Sequence, residues 1–370
     1  MLRRLSIGLL ASAIAIGPLP TKAQDGTAED LGDVMRISLK DVVKPSIGFQ
    51  GALQAAGTPN QTGIGGFLPL SVGENSVWFL DALVNLDFED FEDYSSIINT
   101  DVAGGFSTST RLGYRWLNGD RSWMYGLNAG YDTRTIRSGN ADTGIPVPDK
   151  QTVFFNQIAV NAEAVSNDWK FNVYGLIPIG DVEQKLNFVY NAGALNTYGL
   201  DIGYFITPSL KASIGYYYQH RDEEYVNGSG VSGRLAYEIF DGLTLGANVS
   251  YDEAFETRVS ADIAWRLRLK GHTNKSNSSK KAAIDSLSSS PSNRNVRVHD
   301  WTIDCRSTFF FQRNDDYDCI PRQCRKADAT PNELGDSPGI YITPHPRVLP
   351  NVQVYCENYP EAEAASSEGS

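Results

Sequence analysis

The stretch "TRVSADIAWRLRLKG", Thr257 to Gly271, places an apolar or small residue at every second position: Val259, Ala261, Ile263, Trp265, Leu267 and Leu269. Between them stand Arg258, Asp262, Arg266, Arg268 and Lys270. A period of two marks a strand with two unlike faces, here one apolar and one charged. The chain does not end with this strand but runs on to Ser370.

The same period extends backward to Ser46 and predicts twelve strands, at 46–57, 62–71, 76–88, 103–117, 122–136, 152–166, 168–180, 197–207, 209–221, 229–240, 242–252 and 257–269. A soluble sandwich would alternate in the same way, so the connections carry the decision. "VGEN", "NGDR", "ND", "TP" and "DG" are tight turns, and they alternate with long polar loops such as "EDFEDYSSIINTD" and "TIRSGNADTGIPVPDKQ". Short turns at one end, long loops at the other and an even strand count predict a closed antiparallel transmembrane β-barrel of about twelve strands. Closure removes the strand edges that lipid cannot satisfy. Trp116, Trp123, Trp169, Tyr216, Tyr218 and Trp265, near strand ends, suit interfacial girdles.

Bulk properties agree. No stretch reaches the ~18 continuous apolar residues of a transmembrane helix, and a net charge of −12 argues against nucleic acid as a partner. "MLRRLSIGLLASAIAIGPLPTKA" has a basic start, an apolar run and a small-residue exit, so residues 1–23 read as a secretory signal peptide and 24–45 as a short periplasmic segment.

Strand phase also predicts the interior. Arg111, Arg115, Asp132, Arg134, Glu163, Arg258, Asp262, Arg266 and Arg268 fall on the polar face, with Asn128, Gln157 and Asn161. Mixed signs predict a lumen laced with ion pairs and water.

After Leu269 the composition changes. Residues 270–297 carry six Lys or Arg against one acidic residue, with many Ser and Asn, and read as a flexible basic linker whose cations would pair with lumen acids such as Asp132, Glu163 and Asp262. Residues 298–370 carry six basic and twelve acidic residues and all four cysteines, Cys305, Cys319, Cys324 and Cys356. In an exported chain these predict two disulfides, with three pairings open. The Cys319-x4-Cys324 spacing alone is a weak zinc signal. The end, "PEAEAASSEGS", reads as a disordered acidic tail.

"STRLGYRWLNGDRSWMYGLNAGYDTRTIRSGN" and "FFNQIAVNAEAVSNDWKFNVYGLIPIGD" resemble the translocation barrel of the inverse autotransporters, the intimin and invasin group. The likeness covers roughly residues 46–269 and is most specific at 104–181. It implies an outer-membrane barrel inserted by the barrel assembly machinery, with its passenger C-terminal to it and the linker threaded through the pore to the cell surface. There the passenger would meet an extracellular ligand of unknown kind. Where those adhesins carry immunoglobulin-like domains, this chain has one short Cys-containing segment.

No nucleophile elbow, His-Glu-x-x-His, P-loop or dinucleotide fingerprint occurs, so neither enzyme activity nor a cofactor is expected. His220 in "YYYQHRDEEY" and the acidic run Asp87 to Asp93 read as solvated loop residues. The alternative to display is a porin-like channel with a periplasmic C-terminal tail.

Overall fold

The computed structural model describes residues 35–54, 58–88, 97–98, 100–141, 149–187, 190–221, 227–268, 282–302, 339–342 and 353–356. The alternating stretches become β1 (Ser46–Leu53), β2 (Gln61–Val72), β3 (Ser76–Asp87), a short β4 (Thr100–Val102), β5 (Gly105–Leu117), β6 (Met124–Ala141), β7 (Thr152–Val165) and β8 (Trp169–Ile179). They continue as β9 (Glu183–Lys185), β10 (Tyr190–Ala194), β11 (Asn196–Thr207), β12 (Leu210–His220), β13 (Asn227–Phe240), β14 (Leu243–Asp252) and β15 (Glu256–Arg268). β4, β9 and β10 lie in the long loops; the other twelve pair antiparallel with their neighbours around a ring. The ring closes where β1 meets β15, from Ser46 opposite Arg268 to Leu53 opposite Ala261. The closing strand is therefore the opening stretch of the sequence analysis.

Two predicted boundaries differ by more than two residues. The first strand ends at Leu53 rather than 57, and β6 continues past 136 to Ala141 because β7 pairs with it as far as Arg137 and β4 pairs beyond.

Pleating sends alternate side chains to opposite sides of the wall. On β15, Val259 is 64% exposed, and Ile263, Trp265 and Leu267 are exposed with it. Leu127, Ile214, Val231 and Leu245 on other strands continue the same outer apolar surface. Toward the end with the short turns the outer surface carries a run of touching rings, Trp78, Tyr114, Trp116, Tyr125, Trp123, Phe171, Trp169 and Tyr204, each 4.8–6.2 Å from the next. An apolar wall bordered by such a girdle is what a strand barrel presents to lipid. The turns are tight: Gly242, at φ 85°, closes β13 to β14, and a Cβ there would stand 2.2 Å from the Arg266 carbonyl oxygen.

The linker is not wholly a loose tether. Residues 282–286 form a helical turn, Ala283, Ile284 and Leu287 are fully buried, and the chain from 287 to 297 lies inside the barrel. Val298–Thr302 is a strand, β16, that pairs with β10 to make a three-stranded sheet with β9. Cys305, Cys319 and Cys324 and the predicted signal peptide, residues 1–23, lie outside the described residues. Cys356 ends a short strand, Gln353–Cys356, paired with Gly339–Ile342.

Candidate functional site in the barrel lumen

The lumen is built in three layers, each set by which residues the inward phase supplies. At the turn end the inner wall is apolar, with Phe67, Val77, Phe79, Met124 and Val165 buried. Phe79 fits because Gly113 on β5 leaves room; a Cβ there would stand 2.3 Å from the ring. The 282–286 helix sits in this layer beside β6 and β7, next to the helical turn Leu39–Val42 that precedes β1. Arg121, in the β5–β6 turn, donates to the Ile37 carbonyl at 2.6 Å and holds the N-terminal segment at this end.

The middle layer is polar and cationic. Arg111, Arg115 and Arg134 are among the largest fully buried side chains. Arg111 donates to both carboxylate oxygens of Asp132, at 2.5 and 2.8 Å, and Arg115 Nε donates to Glu163 Oε1 at 2.7 Å. Arg234 Nη2 donates to Asp262 at 2.9 Å, and Arg258 pairs with Asp252 beneath Tyr217. Arg266 is partly buried, while Arg268, at the turn-end rim, is exposed.

Among the described residues, the linker cations Arg294 and Arg297 form no ion pair with Asp132, Glu163 or Asp262, because the wall's own arginines hold those acids. The wall grips the segment by its backbone instead. Arg115 donates to the carbonyls of Leu287 and Ser289 at 3.1 and 2.6 Å, Arg266 to Ser288 at 3.0 Å, Arg111 to Asn293 at 3.3 Å, and Arg134 to Val296 at 3.1 Å. An extended chain without a ladder must find partners for its carbonyls somewhere, and a guanidinium has donors to spare after binding a carboxylate. Such charge-assisted bonds contribute about 1.5–3 kcal/mol each. Side chains of the segment also reach back: Ser290 donates to Asp81 at 2.9 Å, Asn293 donates to Asp201 at 3.1 Å, and Arg294 pairs with Asp81 and donates to Ser109 Oγ at 2.7 Å. Asp81, Ser290 and Arg294 were not singled out from sequence; inward parity on the third predicted strand is the signal that points to Asp81.

At the loop end, apolar packing fills the side of the lumen next to β6, β7 and β10. Ile97, Val102, Ile136, Phe155, Leu186 and Tyr190 from the loops and wall form a buried cluster with Val296 and Val298 of the segment. Ile98 N donates to Asp300 at 2.6 Å, and Arg221 stacks 3.7 Å from the Trp301 ring. Residues 282–302 therefore enter at the turn end and finish among the long loops. His220 lies outside this site, stacked on Tyr198 and Tyr218 at 5.8 and 5.5 Å. Among the described residues no cluster of three His, Cys, Asp or Glu could hold a metal.

A cavity of about 590 Å3 remains beside the segment, against β1, β2 and the strands from β11 to β15.

No protein-family model and no curated protein matches the chain. Among solved structures, a chain from work on in-meso crystallization of membrane proteins is 14% identical with a TM-score of 0.49, the match covering 69% of this chain and 100% of that one. An outer-membrane channel from Pseudomonas putida F1 is 12% identical at a TM-score of 0.40, covering 61% and 96%. Outer membrane phospholipase A from Escherichia coli is 15% identical at 0.33, covering 61% and 97%. None of these likenesses reaches a TM-score of 0.5, and none bears on what this lumen does.

Proposed function

We propose that this chain is an outer-membrane barrel that anchors its own C-terminal segment and displays it at the cell surface, in the manner of an inverse autotransporter. The observation that carries the reading is the path of residues 282–302 through the lumen, from the turn end to the loop end. In outer-membrane barrels the short turns face the periplasm and the long loops face outward, so a chain leaving among the loops at Thr302 is headed for the exterior. Backbone-directed arginines suit this role because a carbonyl is the one acceptor every residue offers; such a lumen can hold a chain while remaining indifferent to most of its side chains. The natural partners of the barrel are outer-membrane lipid and the barrel assembly machinery. In the oxidising exterior the four cysteines would be closed as disulfides. The role is non-catalytic.

One observation favours a second reading, a porin-like channel: the cavity left beside the segment. The two separate in a single experiment. Protease added to intact cells should remove an epitope tag placed after Ser370 while sparing a periplasmic control. Protection of the tag until the outer membrane is permeabilised would reject display and leave the channel.

A further inference from the structure

The lining of the residual cavity reaches from the turn end to the loop end of the barrel. Ser46 and Arg266 line it at the turn end, and Gln54 and Thr58, beyond the far end of β1, line it at the loop end. Its charge is lopsided, with seven Lys or Arg against three Asp among the lining residues. The three acids are already engaged. Asp81 holds Arg294, Asp262 holds Arg234, and Asp201 accepts from the side-chain amides of Asn172 and Asn293 at 3.4 and 3.1 Å.

Two of the cations have no such engagement. Lys170 is the second residue of β8 and Lys211 the second of β12, so they flank β11 at the turn end, and both line the cavity. Among the described residues neither closes an ion pair. The carboxylates that act on them through space, Glu163, Asp201 and Asp262, are each bound to another donor. Two ammonium groups facing each other across one strand repel, and the wall carboxylates near them are shared with other donors; an anion entering from the aqueous side would offset that repulsion. Such positions are where a narrow aqueous path sets its charge preference.

We propose that the lumen keeps an anion-selective passage for small inorganic anions beside the threaded segment, with Lys170 and Lys211 as its filter at the turn end. The passage does not depend on where the residues after Thr302 finally lie, so it stands or falls separately from display.

The test is the reversal potential of the full chain in a planar bilayer across a KCl gradient. The wild type should reverse on the side set by chloride. Lys170→Gln with Lys211→Gln should shift the potential toward zero, and Lys170→Glu with Lys211→Glu should carry it to the potassium side, each variant first shown to fold by its heat-modifiable mobility. Wild-type reversal on the potassium side, or no current above the bare bilayer, would overturn the proposal even if neither variant folds. A folded Gln pair that keeps the wild-type potential would overturn the assignment of the filter.

Discussion

Arg115 shows at one residue how the lumen works. Its Nε donates to Glu163 while Nη1 bridges two carbonyls of the segment, and its guanidinium lies 4.4 Å from the centre of the Phe79 ring. Alternation along β5 places Arg115 inward, so its position is legible in the sequence; that its acceptors are carbonyls from 172 and 174 residues away is not. At the other end of the segment, His299 is held neutral. Burial above all, then the Arg221 guanidinium, pushes it down to about 4, against smaller opposing effects of Asp252 and of hydrogen bonds with the backbone of Ala254 and Asp300. Phe255 lies against its ring at 5.3 Å. The folded value lies below the ordinary 6.5, so the undocked state takes up more protons between those values. Docking of β16 should therefore be strongest above pH 6.5 and weaken as pH falls toward 4, by on the order of 2–3 kcal/mol at most. Hydrogen exchange at the β16 amides, corrected for the intrinsic rate, should show this loss of protection, and His299→Gln should remove it. Protection that is flat across the window in the wild type would contradict the assignment.

At the scale of elements, β15 carries the clearest test of the wall. Ile263 faces outward between Gly51 and Leu245 on the flanking strands, whereas Ser260 shares the inward phase of Arg258 and Asp262. Arg on the lipid face costs about 2–4 kcal/mol at the midplane. Ile263→Arg should thus reduce the heat-modifiable folded fraction in lipid well below that of Ser260→Arg; equal assembly of the two would reject the facing. Asp262 is the poorer comparison because its loss would also leave Arg234 without its carboxylate. Strands such as β15 were readable because one face meets hydrocarbon and the other water, and that contrast is written residue by residue. The end of β6 was not, since residues 137–141, "RSGNA", are extended by pairing with β7 and β4 rather than by any alternation of their own. Residues 282–297 were misread for a related reason. Their Ser and Asn content is that of a tether, and their order comes from donors on the wall, up to 182 residues away in the chain.

At the scale of the whole molecule, the barrel and its segment form one layered object: apolar packing of the 282–286 helix against β6 and β7, a belt of arginines on backbone carbonyls, and an apolar cluster where Val296 and Val298 meet the loops. The two ends of the segment are fixed by burial on the β6 and β7 side, while its middle is fixed by hydrogen bonds, and a polar cavity remains on the opposite side. Barrel closure and the change of composition after Leu269 were both legible in the sequence; the union of the two was not, because it depends on three-dimensional pairing between segments that no local pattern connects. Threading of residues 282–302 is the central claim, and covalent capture tests it most directly. Asp81 and Ser290 are in hydrogen-bond contact at 2.9 Å inside the lumen, whereas Ile64 faces outward on β2. In chains carrying a protease site within residues 270–280, Asp81→Cys with Ser290→Cys should form a disulfide in the assembled barrel, so that cleavage leaves both fragments joined until a reductant is added. A pair that links no better than Ile64→Cys with Ser290→Cys, its fragments parting without reductant, would contradict the threaded lumen.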